Sequence, residues 1–259
     1  MGLLLKAGIS TDLVKTALIA FSAISSFILL INNIPFLKKI FPNYSLQLGG
    51  LIGNTSFLGI PIAIALLPTN TINFTIGFDL GTTLFSWIFG PYFLENDDTN
   101  KQRLNLRTLI LSILNSPASR GIIGVWVAYI FGIENLLGDI LWIPAKIVIY
   151  LAIIIVGTRL GIILNNKSQL FKFKTEIVFS IFLKLFIFPI FIFFLSKVIK
   201  LNQVETLATV LQAGTPTAIS TILMAEAYKK NQETAAKILF ITTILSLLTI
   251  PLITLLFRN

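Results

Sequence analysis

Two short polar clusters interrupt otherwise apolar stretches of the 259-residue chain: Gly53-Asn54-Thr55, followed by Gly59 and Pro61, and Gly214-Thr215-Pro216-Thr217. Glycine tolerates unusual backbone angles, and proline lacks an N–H and clashes with the preceding helical turn, so backbone groups beside them lose their helical partners. In hydrocarbon such groups are costly, and non-helical backbone persists there only where protein, water or a ligand satisfies it. The chemistry that suits such breaks is recognition of an anion or a small cation, because half-helix N-termini bring positive dipole ends beside the Asn and Thr side chains. Asp79 is the third candidate, about seven residues or roughly 10 Å of helical rise inside an apolar span, with Gly77 and Gly81 permitting close packing around it. An ionisable group at that depth is expensive, which makes Asp79 the best candidate for a coupling-ion carboxylate.

Other chemistry is excluded by composition. The chain has no Cys and no His, which removes disulfides, thiolate nucleophiles, zinc and iron–sulfur sites, Ser-His-Asp triads and imidazole relays. Asp97 and Asp98 stand in a polar stretch without a partner D-D-x-x-D motif, so the reading is not an enzyme, and no cofactor is expected beyond a coupling H+ or Na+. Hydrophobic residues make up 55% of the chain and charged residues 12%, against about 25% charged in an average soluble domain. This composition indicates an all-α polytopic membrane protein rather than a water-soluble globule. The net charge of +9 then speaks to orientation and not to nucleic-acid binding.

The elements that position these residues follow from apolar runs of about 20 residues. Spans are expected at 16–37, 46–67, 72–93, 118–132, 140–164, 176–199, 205–227 and 237–257, about eight crossings in all. A partial first repeat (1–94), a cytoplasmic linker (95–107) and a second repeat (108–259) divide the chain, with an interfacial helix at 106–114. Lys38, Lys39, Lys101, Arg103, Arg107, Lys167, Lys172, Lys174, Lys229 and Lys230 gather on one face, which the positive-inside rule makes cytoplasmic. Both termini are then outside. No targeting peptide is visible, and residues 1–5 look like the last turn of an earlier helix, so upstream spans are expected.

Each half has a plain span, an interrupted span and a plain span, and the two interrupted spans run in opposite directions, as in an inverted-topology repeat. One proline break alone reads as a kink; two in corresponding, opposed spans point to a site. Among the remaining charges, Lys146 is deep enough to pair structurally with Asp79, Arg159 and Lys184 are expected to snorkel toward the cytoplasmic face, and Glu226 caps its helix in solvent. The Phe-rich run 179–194 reads as lipid-facing area.

The stretches GNTSFLGIP (53–61) and GTPTAISTILMAEAY (214–228) resemble the paired signatures of the auxin efflux carrier family of membrane transport proteins, in its prokaryotic branch. The resemblance extends to NSP (115–117), IIIVGTRLG (153–161) and FITTILSLLTIPL (240–252). It implies a fold of two inverted repeats with two broken, crossed helices, similar to the bile acid sodium symporters and sodium-proton antiporters. The resemblance implies ten helices in two five-helix repeats, so that against the eight spans counted here the family's first two are the ones expected to be missing. The crossover motif falls on Asn54 and Pro61 in one repeat, and on Pro216 with Thr215 and Thr217 in the other. The implied function is secondary active transport of a small organic anion across the plasma membrane by alternating access, with the lipid bilayer and a second copy of the chain as partners. The competing readings are a non-transporting, N-terminally incomplete membrane subunit and a sodium-coupled symporter of the bile acid type.

Overall fold

The computed structural model describes residues 1–95, 114, 117–165 and 174–257. It is 86% helical, and among the described residues there is no strand. The expected linker and interfacial helix fall almost wholly outside the described residues.

Helix α1 (Gly2–Ala7) leads into α2 (Thr11–Asn33), which starts where the Ser10 side chain accepts the Leu13 N–H at 3.2 Å. The first expected span continued to residue 37, but the helix stops at Ile34 (φ −98°, ψ 112°) and α3 (Pro35–Ile40) starts anew. The cause is local: the residue before a proline is driven out of the helical region, whereas proline suits the first turn of the next helix.

The second expected span is divided into α4 (Tyr44–Leu51), a π-turn (Thr55–Gly59) and α5 (Ile60–Leu66). A short 3-10 turn at Thr69–Thr71 then opens α6 (Ile72–Glu95). Beyond it come α7 (Pro117–Ile130) and α8 (Glu134–Asn165). Helix α9 (Thr175–Phe182) passes through a π-turn at Leu183–Ile187 into α10 (Phe188–Val198). The second interrupted span is α11 (Gln203–Ala213) and α12 (Ile219–Ala227), and α13 (Gln232–Phe257) closes the described chain.

Among the described residues, three helical segments are long and apolar enough to cross a membrane: Thr11–Asn33, Thr175–Val198 and Gln232–Phe257, with mean hydropathies of 2.1, 2.6 and 2.4. Their outward side chains include Leu18, Val198 and Leu247, exposed at 64%, 77% and 73%. Apolar surface of that kind is a liability in water and ordinary against lipid tails. The chain is an integral membrane protein by this composition.

Small residues bring the helices that flank the site together. Helices α2 and α6 pack along most of their length, and a Cβ on Gly77 would collide with the Leu13 carbonyl and the Thr16 hydroxyl. A Cβ on Gly81 would collide with the Ala17 carbonyl. Without a hydrophobic drive between helices in lipid, such close backbone approach is the main source of their attraction. Helix α4 is held between α9 and α13, and α10 lies along α11. Several buried polar groups between these helices pair with one another. Gln47 accepts from the Asn32 side chain and donates to the Phe41 carbonyl, both at 3.0 Å, and Ser196 meets Thr209 at 3.1 Å.

Candidate functional site

At Gly53 the backbone leaves α4 and pairs antiparallel with Thr217, between α11 and α12. The Asn54 N–H donates to the Pro216 carbonyl at 2.7 Å, and the Ala218 N–H donates to the Ile52 carbonyl at 3.0 Å. Each break thus supplies partners that the other lacks, which is how two non-helical stretches are tolerated in an apolar interior. Gly53 is required by crowding, since a Cβ there would strike the Thr215 hydroxyl and stand 3.0 Å from Lys184 Nζ. Beyond the pair, the Leu58 and Gly59 N–H groups both donate to the Asn54 carbonyl, which winds the π-turn. Pro61 occupies the first turn of α5, where an N–H is dispensable.

The threonines of the two breaks are engaged. Thr55 and Ser56 both donate to Asp79 Oδ1, the Thr55 bond at 2.6 Å. Thr215 donates to the Gln212 carbonyl at 2.7 Å, and Thr217 donates to the Gly49 carbonyl at 2.6 Å. The Thr217 N–H is met by the Thr242 hydroxyl of α13 at 3.1 Å. These groups hold the crossing together. Asn54 differs: it is 4% exposed, and its side-chain amide bonds no described residue. Gly214, at φ −81°, ends α11 with its N–H on the Val210 carbonyl.

A cavity of about 330 Å³ opens beside the pair. Asn54, Thr55 and Ser56 line it from the first break, Thr82 and Ser86 from α6, and Ser220 from the first turn of α12. Two other hollows, of about 260 and 480 Å³, are lined mainly by apolar residues near Pro68 and contain no charged side chain. Asp79 stands one helical turn from Thr82 and Thr83 and two from Ser86, so a single face of α6 carries the carboxylate and the hydroxyls. Thr82 donates back to the Phe78 carbonyl at 2.9 Å, whereas the Ser86 hydroxyl is buried without a partner among the described residues. The two half-helix starts are therefore unlike. A carboxylate already sits on the start at Thr55, whereas the start of α12 faces the cavity with Ser220 between the apolar Ala218, Ile219 and Leu223 and brings no charged side chain to it.

Two residues that are not among the expected site residues belong to the crossing. Gln212 is fully buried against Gly59 and Thr215, and neither its Oε1 nor its Nε2 has a partner among the described residues. Lys184 was expected to snorkel to a face, yet it is 0% exposed and donates to the Ala213 carbonyl at 2.7 Å. The π-turn at Leu183–Ile187 accompanies this placement, and the Phe188 ring lies 5.2 Å from the ammonium. The only signal in the sequence was a lysine in an unbroken apolar run; its direction depends on a neighbour in another helix. The side chains of Lys146 and Arg159 fall outside those described, and with them the expected Asp79–Lys146 pair. Glu226 ends α12 partly exposed.

A family model described as membrane transport protein matches residues 6–254. An uncharacterized transporter of Methanocaldococcus jannaschii is 26% identical over 221 residues, covering 83% of this chain and 70% of that protein. No solved structure matches.

Proposed function

The chain belongs to the membrane transport protein family, whose paired signatures its sequence resembles, and from that membership we propose that this membrane transporter is a secondary active carrier. It moves a small organic anion by alternating access at the crossing of the two interrupted helices, in the manner of an auxin efflux carrier. The observation that carries the reading is the antiparallel pair Gly53–Thr217 beside a 330 Å³ cavity where hydroxyl and amide side chains stand among apolar ones such as Phe57, Trp87 and Leu223. A structural kink needs neither a partner break nor a cavity.

The roles follow from what each group has left to give. Asn54, the Ser86 hydroxyl and Ser220 at the start of α12 line the cavity with groups able to donate to a carboxylate, and the Ser86 hydroxyl is buried without a partner among the described residues. Gln212 lies on the same crossing with an unsatisfied amide and is positioned to exchange partners when the helices move. Asp79, fastened to the first break by Thr55 and Ser56, couples proton binding to the position of the π-turn. Helices α2 to α6 and α9 to α13 form two inverted halves, and the described helices together make about eight spans with both termini outside.

The test is flux of labelled organic anions in sealed vesicles containing this chain, under imposed proton or sodium gradients. Gradient-dependent flux that is lost in Asn54→Ala and Asp79→Asn, with both variants inserted, is the expected result. An inserted protein that moves no anion under either gradient would overturn the reading in favour of a non-transporting membrane subunit.

A further inference from the structure

Lys184 is a buried basic side chain that nothing in the carrier reading uses. It belongs to the π-turn between α9 and α10, is fully enclosed, and points its Nζ at the point where the two breaks meet. On one side is the Ala213 carbonyl, the last of α11, at 2.7 Å; on the other is Gly53, which has no side chain to block it. The Phe188 ring face lies 5.2 Å away.

The end of α11 explains what the charge does there. A helix terminus leaves carbonyls without intrahelical partners and carries partial negative charge. Here the Val210 carbonyl takes the Gly214 N–H, and the Gln212 carbonyl takes the Thr215 N–H and hydroxyl. The Ala213 carbonyl takes the Lys184 ammonium. Carbonyls at an unwound half-helix end, with threonine hydroxyls beside them, are also the groups that coordinate Na+ in membrane carriers. An ammonium and a desolvated Na+ thus compete for one position, and in this chain the ammonium is tethered to it.

We propose that the Lys184 ammonium is the resident cation of the crossing, filling the place at the carbonyl end of α11 that a coupling Na+ would otherwise take. The proposal deepens the carrier reading and rests on it only for the word coupling. The crossing is complete without a metal ion at this end, and any gradient must act elsewhere, with Asp79 as the available carboxylate. Lys184 is a positioning residue: it holds α11 against Gly53 and touches no substrate.

The experiment reads ion binding by stability and not by transport. The full chain is purified in detergent, and its thermal unfolding is followed in NaCl, KCl and choline chloride at equal ionic strength. Wild type should unfold at the same temperature in all three. Lys184→Ser and Lys184→Gln, the second keeping an N–H donor without the charge, should unfold earlier in choline and recover selectively in Na+. Lys184→Arg should behave as wild type.

A saturable, Na+-selective rise in the wild-type unfolding temperature would overturn the proposal, because the position would then be open to the metal. So would variants that behave identically in all three salts, including variants that are unfolded in each of them. The outcome is independent of flux: a chain that shows the expected salt pattern and moves no anion removes the carrier reading and leaves Lys184 in its place.

Discussion

At the scale of single residues, the crossing separates side chains that hold it from side chains it leaves free. Thr217 belongs to the first group, because its hydroxyl meets the Gly49 carbonyl at 2.6 Å in a fully buried setting. Thr217→Val strands that carbonyl and should cost about 1–3 kcal/mol of stability, seen as an earlier melt in detergent. Asn54 belongs to the second group. Its side chain bonds no described residue, so Asn54→Ala should leave the melt unchanged. A lost hydrogen bond to a charged substrate is worth about 1.5–3 kcal/mol, so KM for the anion should rise by roughly 10- to 100-fold. Equal effects of the two substitutions on both measurements would remove the distinction. Residue types alone did not reveal it: threonine and asparagine at a break look alike as ligands until the neighbouring carbonyls are known.

At the scale of elements, the interrupted helices depend on the plain ones that clasp them. Helix α6 carries Asp79 to the first break because α2 can approach it at Gly77 and Gly81. Gly77→Leu places a side chain against the α2 backbone, where forced overpacking costs about 1–3 kcal/mol. The expected result is a lower melting temperature together with a weakened Asp79 contact, so that flux falls although no cavity residue has changed. Wild-type stability and flux in Gly77→Leu would show that the α2–α6 contact does not position the carboxylate. Helix breaks at Pro61 and Pro216 were legible because Gly and Pro act locally on the backbone. The apolar run extends past Ile34, while the backbone obeys Pro35 and begins a new helix there.

At the scale of the whole molecule, orientation rests on the distribution of Lys and Arg, which sterics do not constrain. The chain has no Cys, so single cysteines can report sidedness without background. Lys38→Cys before α4 and Gln232→Cys at the start of α13 should react with an impermeant maleimide only after the membrane is opened. Lys197→Cys, at the far end of α10, should react on intact cells. The reverse pattern would invert the proposed orientation, and a mixed pattern for Lys38 and Gln232 would overturn the proposed number of spans.

The sequence by itself determined what depends on neighbours along the chain. Apolar length sets the helices, Gly and Pro set the breaks, and the stretches 53–61 and 214–228 resemble the paired signatures of a transport family. Only the tertiary structure decided which polar groups are spent and which are available. Thr217 finds its acceptor 168 residues away and Lys184 finds its acceptor 29 residues away. A hydroxyl or an ammonium in a membrane interior takes whatever partner the packing brings within about 3 Å, and that partner is not written in the residues beside it.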